Sequence, residues 1–492
     1  MNLIMKKIIF SFLLCCVALS VMSQKLAVML DHKSYCTDKL EPYVEFNFLV
    51  DGQSVRYLLN ENNRFQAQVE INVDIKQNDS LVENMDFILL SDEFEDSIRQ
   101  GKPDFLTIKN LKLDNGTYFI YFTLKDINTN FKPIHYEDLI ELYFPNDKVS
   151  ISGISLLSDI QESEEDHVYN KYGYIMTPLY FAYASEKQSA LPFMIEIYNT
   201  DYVFGKNSSF LIRSRIEWYE TGNTAYGQPV YYVSKTTGPV VVFLHQFNIY
   251  TLPSGNYNLV VEVLNEDSSV VASGKVFFQR NNPSVTLEVA DFNQINVERT
   301  FVDEIKDPEI LQQYVSYLYP IATLAEQDFF KTRLKKVPHE KMQRYFYYFW
   351  LTRNAADPEG EWKKYKEKVD YVHRTYGSKV IKGYQTDRGR VYLKYGKPTQ
   401  VIEEPYDPQA YPYEIWTYYV LGSQTNVKFV FCDKDLATND YELLHSDALG
   451  EVKNSRWQME LTKRLNPSLN PDIKTPDDYW GGDINNNWRL NR

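Results

Sequence analysis

Apolar and polar positions alternate with period two through short runs of the first 283 residues, as in Val44-Glu45-Phe46-Asn47-Phe48-Leu49 and Phe65-Gln66-Ala67-Gln68-Val69-Glu70-Ile71. Successive side chains of a strand point to opposite faces, so this alternation predicts strands with one buried face. Helical spacing is absent there. Past Pro283 the pattern changes, with helix-entry signals at Asp307-Pro308-Glu309, Pro338-His339-Glu340 and Asp357-Pro358-Glu359, each placing proline where its missing N–H donor is harmless. Trp362, Tyr365, Val369, Val372 and Tyr376 then recur at helical spacing, with Gly377 as a natural stop. Residues 390–395 and 427–431 read as strands after that helix, separated by a Pro/Tyr-rich loop over 403–412.

The strand-rich part carries an internal echo. Leu113-Asp114-Asn115-Gly116-Thr117-Tyr118 and Leu252-Pro253-Ser254-Gly255-Asn256-Tyr257 share the form Leu-x-x-Gly-x-Tyr, and each runs into an alternating strand. A tyrosine at the start of a late strand, folding its hydroxyl back onto backbone, is the tyrosine corner of an immunoglobulin-type sandwich. Tyr118 and Tyr257 therefore predict two tandem all-β immunoglobulin-like sandwiches, at 24–150 and 151–285. The 139-residue spacing, 257 − 118, is long for one sandwich and puts the excess into loops such as 158–166. A helix-rich α+β domain follows over 286–465, and then an irregular tail over 466–492 whose main apolar residues are Trp480 and Trp488.

The N-terminus adds an address. Lys6 and Lys7 precede an apolar run over 8–21, too short to span a bilayer comfortably, and Val21-Met22-Ser23 offers small residues for cleavage. The expectation is an exported chain starting at Gln24, after a 1–23 signal peptide. Cys15 and Cys16 lie inside the apolar core, which argues against lipidation. No later stretch is apolar enough to span a membrane. Removing two lysines leaves a net charge of (52 − 2) − 66 = −16, which with export opposes nucleic acid as a partner. Only Cys36 and Cys432 remain, in different domains, so a disulfide framework is excluded and two small buried side chains are expected.

Gly383-Tyr384-Gln385-Thr386-Asp387-Arg388-Gly389-Arg390-Val391-Tyr392-Leu393-Lys394-Tyr395-Gly396-Lys397-Pro398 resembles the signature of the GWxTD-domain proteins of Bacteroidota. The resemblance extends to Tyr413-Glu414-Ile415-Trp416 and to 441–447, covering the C-terminal domain and not the sandwiches. Tyr384 stands where the family name has Trp, which adds a hydroxyl in need of a partner. The family implies an envelope location and a C-terminal domain without an assigned reaction, cofactor or catalytic residue. Taken on their own chemistry, Thr386, Asp387, Arg388 and Gly389 predict a turn from helix into strand, with Gly389 free to take positive φ. The alternative is a polar cluster of Asp387, Arg388 and Arg390 that grips a carboxylate, a phosphate or a partner loop. Gly383, Tyr384, Tyr392 and Trp416 complete this candidate interaction site.

Motifs for chemistry are missing. The seven histidines are scattered, neither His-Glu-x-x-His nor Gly-x-Ser-x-Gly occurs, and Asp483-Ile484-Asn485-Asn486-Asn487 lacks the glycine and closing glutamate of a calcium loop. His445-Ser446-Asp447 resembles a triad only in order, since adjacent residues do not line up as nucleophile, base and orienter. Glu403-Glu404 reads as a solvated loop pair. No cofactor, metal or catalytic residue is expected. Residues 331–400 hold 18 Lys and Arg against 7 Asp and Glu, a surplus of 18 − 7 = +11 that reads either as solvated helix faces or as a docking surface. The expectation is a non-catalytic envelope protein that docks into a periplasmic or outer-membrane complex. Binding of glycan or peptidoglycan through Tyr406, Tyr411, Tyr413, Trp416, Trp480 and Trp488 is the alternative, and an enzyme of unfamiliar type comes third.

Overall fold

A computed structural model describes residues 26–462 apart from 96–101, 166, 220, 226, 286–294, 333–336, 355, 408–409, 423, 437–439 and 455–456, together with Trp488. The expected signal peptide, the calcium-like Asp483 fragment and the tail other than Trp488 lie outside these residues. The described chain is rich in β-structure, with its longer helices in the C-terminal region. Among the described residues no helix is long and apolar enough to cross a membrane.

Two sheets share the first core. Val28–Cys36, Pro42–Val50 and Phe105–Lys112 form one antiparallel sheet, and Ser80–Leu90, Gln68–Gln77, Gly116–Asp126 and Ile134–Leu142 form the other, in that order. Alternation places Val44, Phe46, Phe48 and Val50 of one sheet against Val69, Ile71, Val73, Ile120 and Phe122 of the other. The polar residues between them face outward. The run 65–71 is interrupted at Ala67, fully buried, whose N–H bonds the hydroxyl of Ser91 at 3.0 Å.

The second module repeats the arrangement. Ala190–Tyr198 lies between Val240–Asn248 and the short strands Ser150–Ile151 and Ser155–Glu162; Tyr231–Thr236, Ser209–Trp218, Gly255–Leu264 and Val270–Arg280 make the facing sheet. Phe193, Ile195, Ile197 and Phe243 meet Ile212, Leu259, Val261 and Val263 in its core.

The geometry accounts for the Leu-x-x-Gly-x-Tyr echo. Tyr118 donates to the carbonyl of Asp114 and Tyr257 to that of Pro253, each at 2.9 Å and each four residues upstream. That path lays the ring over the glycine two residues earlier. A Cβ on Gly116 would meet the Tyr118 ring at 3.3 Å, and one on Gly255 would meet the Tyr257 ring at 3.0 Å and Trp218 at 2.8 Å. Leu113 and Leu252, both buried, anchor the start of each turn.

In the C-terminal region, α1 (Pro308–Tyr317), α2 (Leu324–Thr332), α3 (His339–Arg353) and α4 (Pro358–Tyr376) enclose one aromatic core. Asp307 and Asp357 cap α1 and α4 by accepting backbone N–H groups, ahead of prolines at the first helical position. Trp362, Tyr365, Val369 and Val372 of α4 are buried in that core. Beyond α4 stands a four-stranded antiparallel sheet of Gln400–Glu404, Tyr413–Leu421, Gln424–Cys432 and Glu442–Ser446.

The expected strand over 390–395 is instead the last six residues of a nine-residue helix, α5 (Asp387–Tyr395). The helix is wedged between two cores, with Leu393 in the helical core and Val391 in the sheet core. Residues two apart sit on opposite sides of a helix, so burial on both sides imitates the alternation of a strand. Glu403 and Glu404, expected in a loop, close the strand Gln400–Glu404. Cys36 and Cys432 are both buried and unbridged.

Candidate functional site

The signature residues form a joint between α4, α5 and the sheet. Gly383–Gln385 makes one 3-10 turn, and Thr386 then caps α5. The Thr386 hydroxyl donates to the Gly383 carbonyl at 2.8 Å and accepts the Gly389 N–H at 3.1 Å. Thr386 is thus a helix cap in place of the expected entry into a strand. Gly389 lies inside the helix and is not among the residues with positive φ; its small size serves a different need. A Cβ there would stand 1.8 Å from the Gly383 carbonyl oxygen, and a Cβ on Gly383 would stand 2.0 Å from that of Val372. Two backbone segments touch at each position.

Tyr384 is buried between Tyr317 and His373, with ring centroids at 5.1 and 5.6 Å. Its extra hydroxyl finds Ser316 Oγ at 3.1 Å. His373 Nδ1 accepts the Gly383 N–H at 3.0 Å, and burial lowers the pKa of this imidazole, in keeping with a neutral acceptor.

The charged residues of the signature from Asp387 to Lys394 each meet a group of the same region. Asp387 accepts the Leu443 N–H at 2.8 Å, tying the start of α5 to the last strand. Arg388 pairs with Glu414 at 2.5 Å and lies over the Tyr441 ring at 4.2 Å. Glu414 also takes the indole N–H of Trp416 at 2.8 Å. Arg390 reaches Glu451 at 2.9 Å and Lys394 reaches it at 2.9 Å, while the Tyr395 hydroxyl donates to it at 2.8 Å. Burial alone would raise the Glu451 carboxyl, but Lys394 and Arg390 hold it at about 2. Tyr392, half-buried, packs tilted against Tyr371 with ring centroids at 4.9 Å. The structure therefore brings Gly383, Tyr384, Thr386, Asp387, Arg388, Gly389 and Arg390 into one joint.

Glu414 and Glu451, which complete it, were not singled out by pattern. Glu414 lies within Tyr413-Glu414-Ile415-Trp416, where strand alternation would have marked it as the polar neighbour of two buried aromatics. Glu451 follows a glycine turn and carries no local signal.

Among the described residues, the aromatics proposed for glycan stacking are spread over different surroundings. Tyr413 and Trp416 are core residues at 0% and 1% exposure. Trp488 is half-buried against Trp457 at 5.0 Å, and Tyr406 is exposed without a ring partner among the described residues. Strands that are buried on both faces turn alternate residues into a second core, and Tyr413–Leu421 is such a strand. Trp480 lies outside the described residues. In His445-Ser446-Asp447 the imidazole Nε2 meets Asp447 at 3.3 Å, while Ser446 Oγ turns to the Ala448 N–H at 2.9 Å. Part of the basic segment 331–400 is paired, Lys363 with Glu359 at 2.6 Å and Lys366 with Asp370 at 2.9 Å inside it and Arg353 with Glu326 at 3.4 Å outside it.

A second polar centre joins the two N-terminal modules beside a cleft of about 990 Å3. Lys171 lies 3.0 Å from Glu196, 3.9 Å from Glu45 and 3.7 Å above the Tyr35 ring, so one cation links both modules. Tyr198 bridges from Glu196 at 2.7 Å to the Cys36 N–H at 3.0 Å. Burial raises the Glu45 carboxyl, opposed by Lys171. Lys171→Met should leave Glu196 buried without its cation and destabilise the pair of modules by about 2 kcal/mol. An earlier first thermal transition and a larger radius of gyration by X-ray scattering would register it; an unchanged radius and transition would remove Lys171 as a link.

Residues 286–461 match the GWxTD domain family. No curated protein matches the chain. Among solved structures, the chain is similar to red sea bream transglutaminase, 10% identical over 53% of this chain and 32% of that one, with a TM-score of 0.16. A glycosyl hydrolase family 2 member from Bacteroides cellulosilyticus is 10% identical over 48% of this chain and 26% of its own, with a TM-score of 0.20. The fibronectin(III)-like modules of Clostridium thermocellum CbhA are 10% identical over 50% of this chain and 89% of theirs, with a TM-score of 0.14. The chain thus spans about a third or less of the first two.

Proposed function

We propose that the chain is an exported, non-catalytic envelope protein. Two immunoglobulin-like sandwiches serve as spacers and partner edges, and the GWxTD domain holds a fixed surface for docking into a protein complex. One observation carries this reading: the charged residues of α5 are consumed in holding the joint together. Asp387, Arg388, Arg390 and Lys394 all meet groups of the same region, and Glu451 and Glu414 are nearly enclosed, with side chains 5% and 10% exposed. Groups locked in this way favour a rigid platform over a site that binds and releases a substrate.

The address and the role are tested together. A tagged chain purified from gently solubilised envelope should begin at Gln24 by mass spectrometry and retain one envelope protein in fixed ratio. Retrieval of that protein should fail when the GWxTD domain is deleted. An uncleaved, cytosolic chain would overturn the address. Turnover of a substrate that one side-chain change abolishes would overturn the non-catalytic role.

A further inference from the structure

Ser80–Leu90 ends its sheet, hydrogen-bonded on one side to Gln68–Gln77. Among the described residues no strand pairs with its other edge, and the strand presents Leu81, Val82, Ile88 and Leu90 at 57%, 44%, 53% and 49% exposure. This strand has neither the lysine nor the proline that commonly blunts such edges, its only such devices being Glu83, Asp86 and the bulge at Val82. The strand also reads nearly the same outward in both directions from Met85. Asn84 and Asp86 stand one residue away, Val82 and Ile88 three, Leu81 and Leu89 four.

We propose that a second copy of this chain covers the edge, the two strands pairing antiparallel about a two-fold axis at Met85. The first module's four-stranded sheet then continues into that of its partner as one eight-stranded sheet. In this register Glu83 faces Phe87 within the regular stretch, and Ile88 and Leu89 of each copy lie against the bulged end of the other at Val82 and Leu81. Asn84 faces Asp86 on both sides of the axis, so no like charges stand directly opposite. The same chemistry already runs across the sheet within one copy. Asn72 donates to Asp86 at 2.5 Å and Asn84 donates to Asp74 at 2.8 Å, and these are register partners. Pairing extends that ladder as Asp74, Asn84, Asp86 of the second copy and its Asn72. The β-bulge opposite Ile75 and Lys76 leaves Val82 without a register partner and 83–87 regular. An interface of this kind is isologous and closes as a dimer, independently of any docking partner.

Sedimentation of the purified chain tests the proposal, with a doubled mass expected. The pair Asn84→Lys and Asp86→Lys sets lysines opposite each other across the axis and should return the monomer mass, with an unchanged circular dichroism spectrum. The pair Asn84→Cys and Asp86→Cys should cross-link two chains on mild oxidation. Ser80→Cys with Val82→Cys, whose positions this register holds far apart, should not. A monomer at the highest soluble concentration overturns the proposal. So does a dimer that survives the lysine pair, or one in which both cysteine pairs link equally.

Discussion

Glu451→Gln is expected to destabilise the C-terminal region by about 3–5 kcal/mol, because it strands Arg390 and Lys394 against a neutral amide in a largely enclosed site. The carboxylate is 5% exposed and receives both cations at 2.9 Å. The wild-type chain should show the same dependence as a function of pH. Burial works to raise this carboxyl, yet Lys394 and Arg390 bring it from 4.5 to about 2 in the folded state. A group whose folded pKa is depressed contributes fully above its unfolded pKa and loses that contribution as pH falls towards the folded value. The window is therefore between about 4.5 and about 2, and the contribution is about 3 kcal/mol. Calorimetry of the wild type should show the C-terminal transition falling across this window. In Glu451→Gln the fall should be much shallower. Equal slopes in the two proteins would show that Glu451 does not carry the acid sensitivity.

The strand modules are legible in the sequence where one face of a strand is buried and the other wet, as in Val44, Phe46 and Phe48 against Glu45 and Asn47. Legibility fails wherever an element is buried on both sides. Val391 and Leu393 look like alternate residues of a strand because α5 has a core on each flank. Tyr413 and Trp416 look like surface aromatics because their strand also has a core on each face. The candidate site divides in a similar way. Thr386 and Gly389 are readable as a local joint, since capping and close approach are short-range effects, although their pattern does not say whether helix or strand follows. Glu451 is 61 residues from Arg390, and Lys171 is 126 from Glu45, so no local pattern announces either partnership. These long-range ion pairs are made by the fold, after which they hold it in register.

Gly389→Ala is expected to have the largest effect of any one-methyl addition in the C-terminal region. The new Cβ would stand 1.8 Å from the Gly383 carbonyl carbon's oxygen and 3.0 Å from the Thr386 hydroxyl. Neither can retreat. The Gly383 carbonyl accepts that hydroxyl, and Gly383 is itself pressed against Val372, where a Cβ would find the carbonyl oxygen at 2.0 Å. Relief requires α5 to move as a body, which would draw Arg388 from Glu414 and Arg390 from Glu451. A backbone clash of this kind exceeds the usual overpacking range of about 1–3 kcal/mol and should unfold the region at ambient temperature. The N-terminal modules have their own cores and should retain their transition. Limited proteolysis separates the outcomes: a protected fragment ending near residue 285 is expected from Gly389→Ala, whereas the wild type should stay protected into the sheet. Thr386→Ser, which keeps the cap, should behave as wild type. If Gly389→Ala also remains protected through the sheet, the close approach of the two backbones is not what requires glycine there.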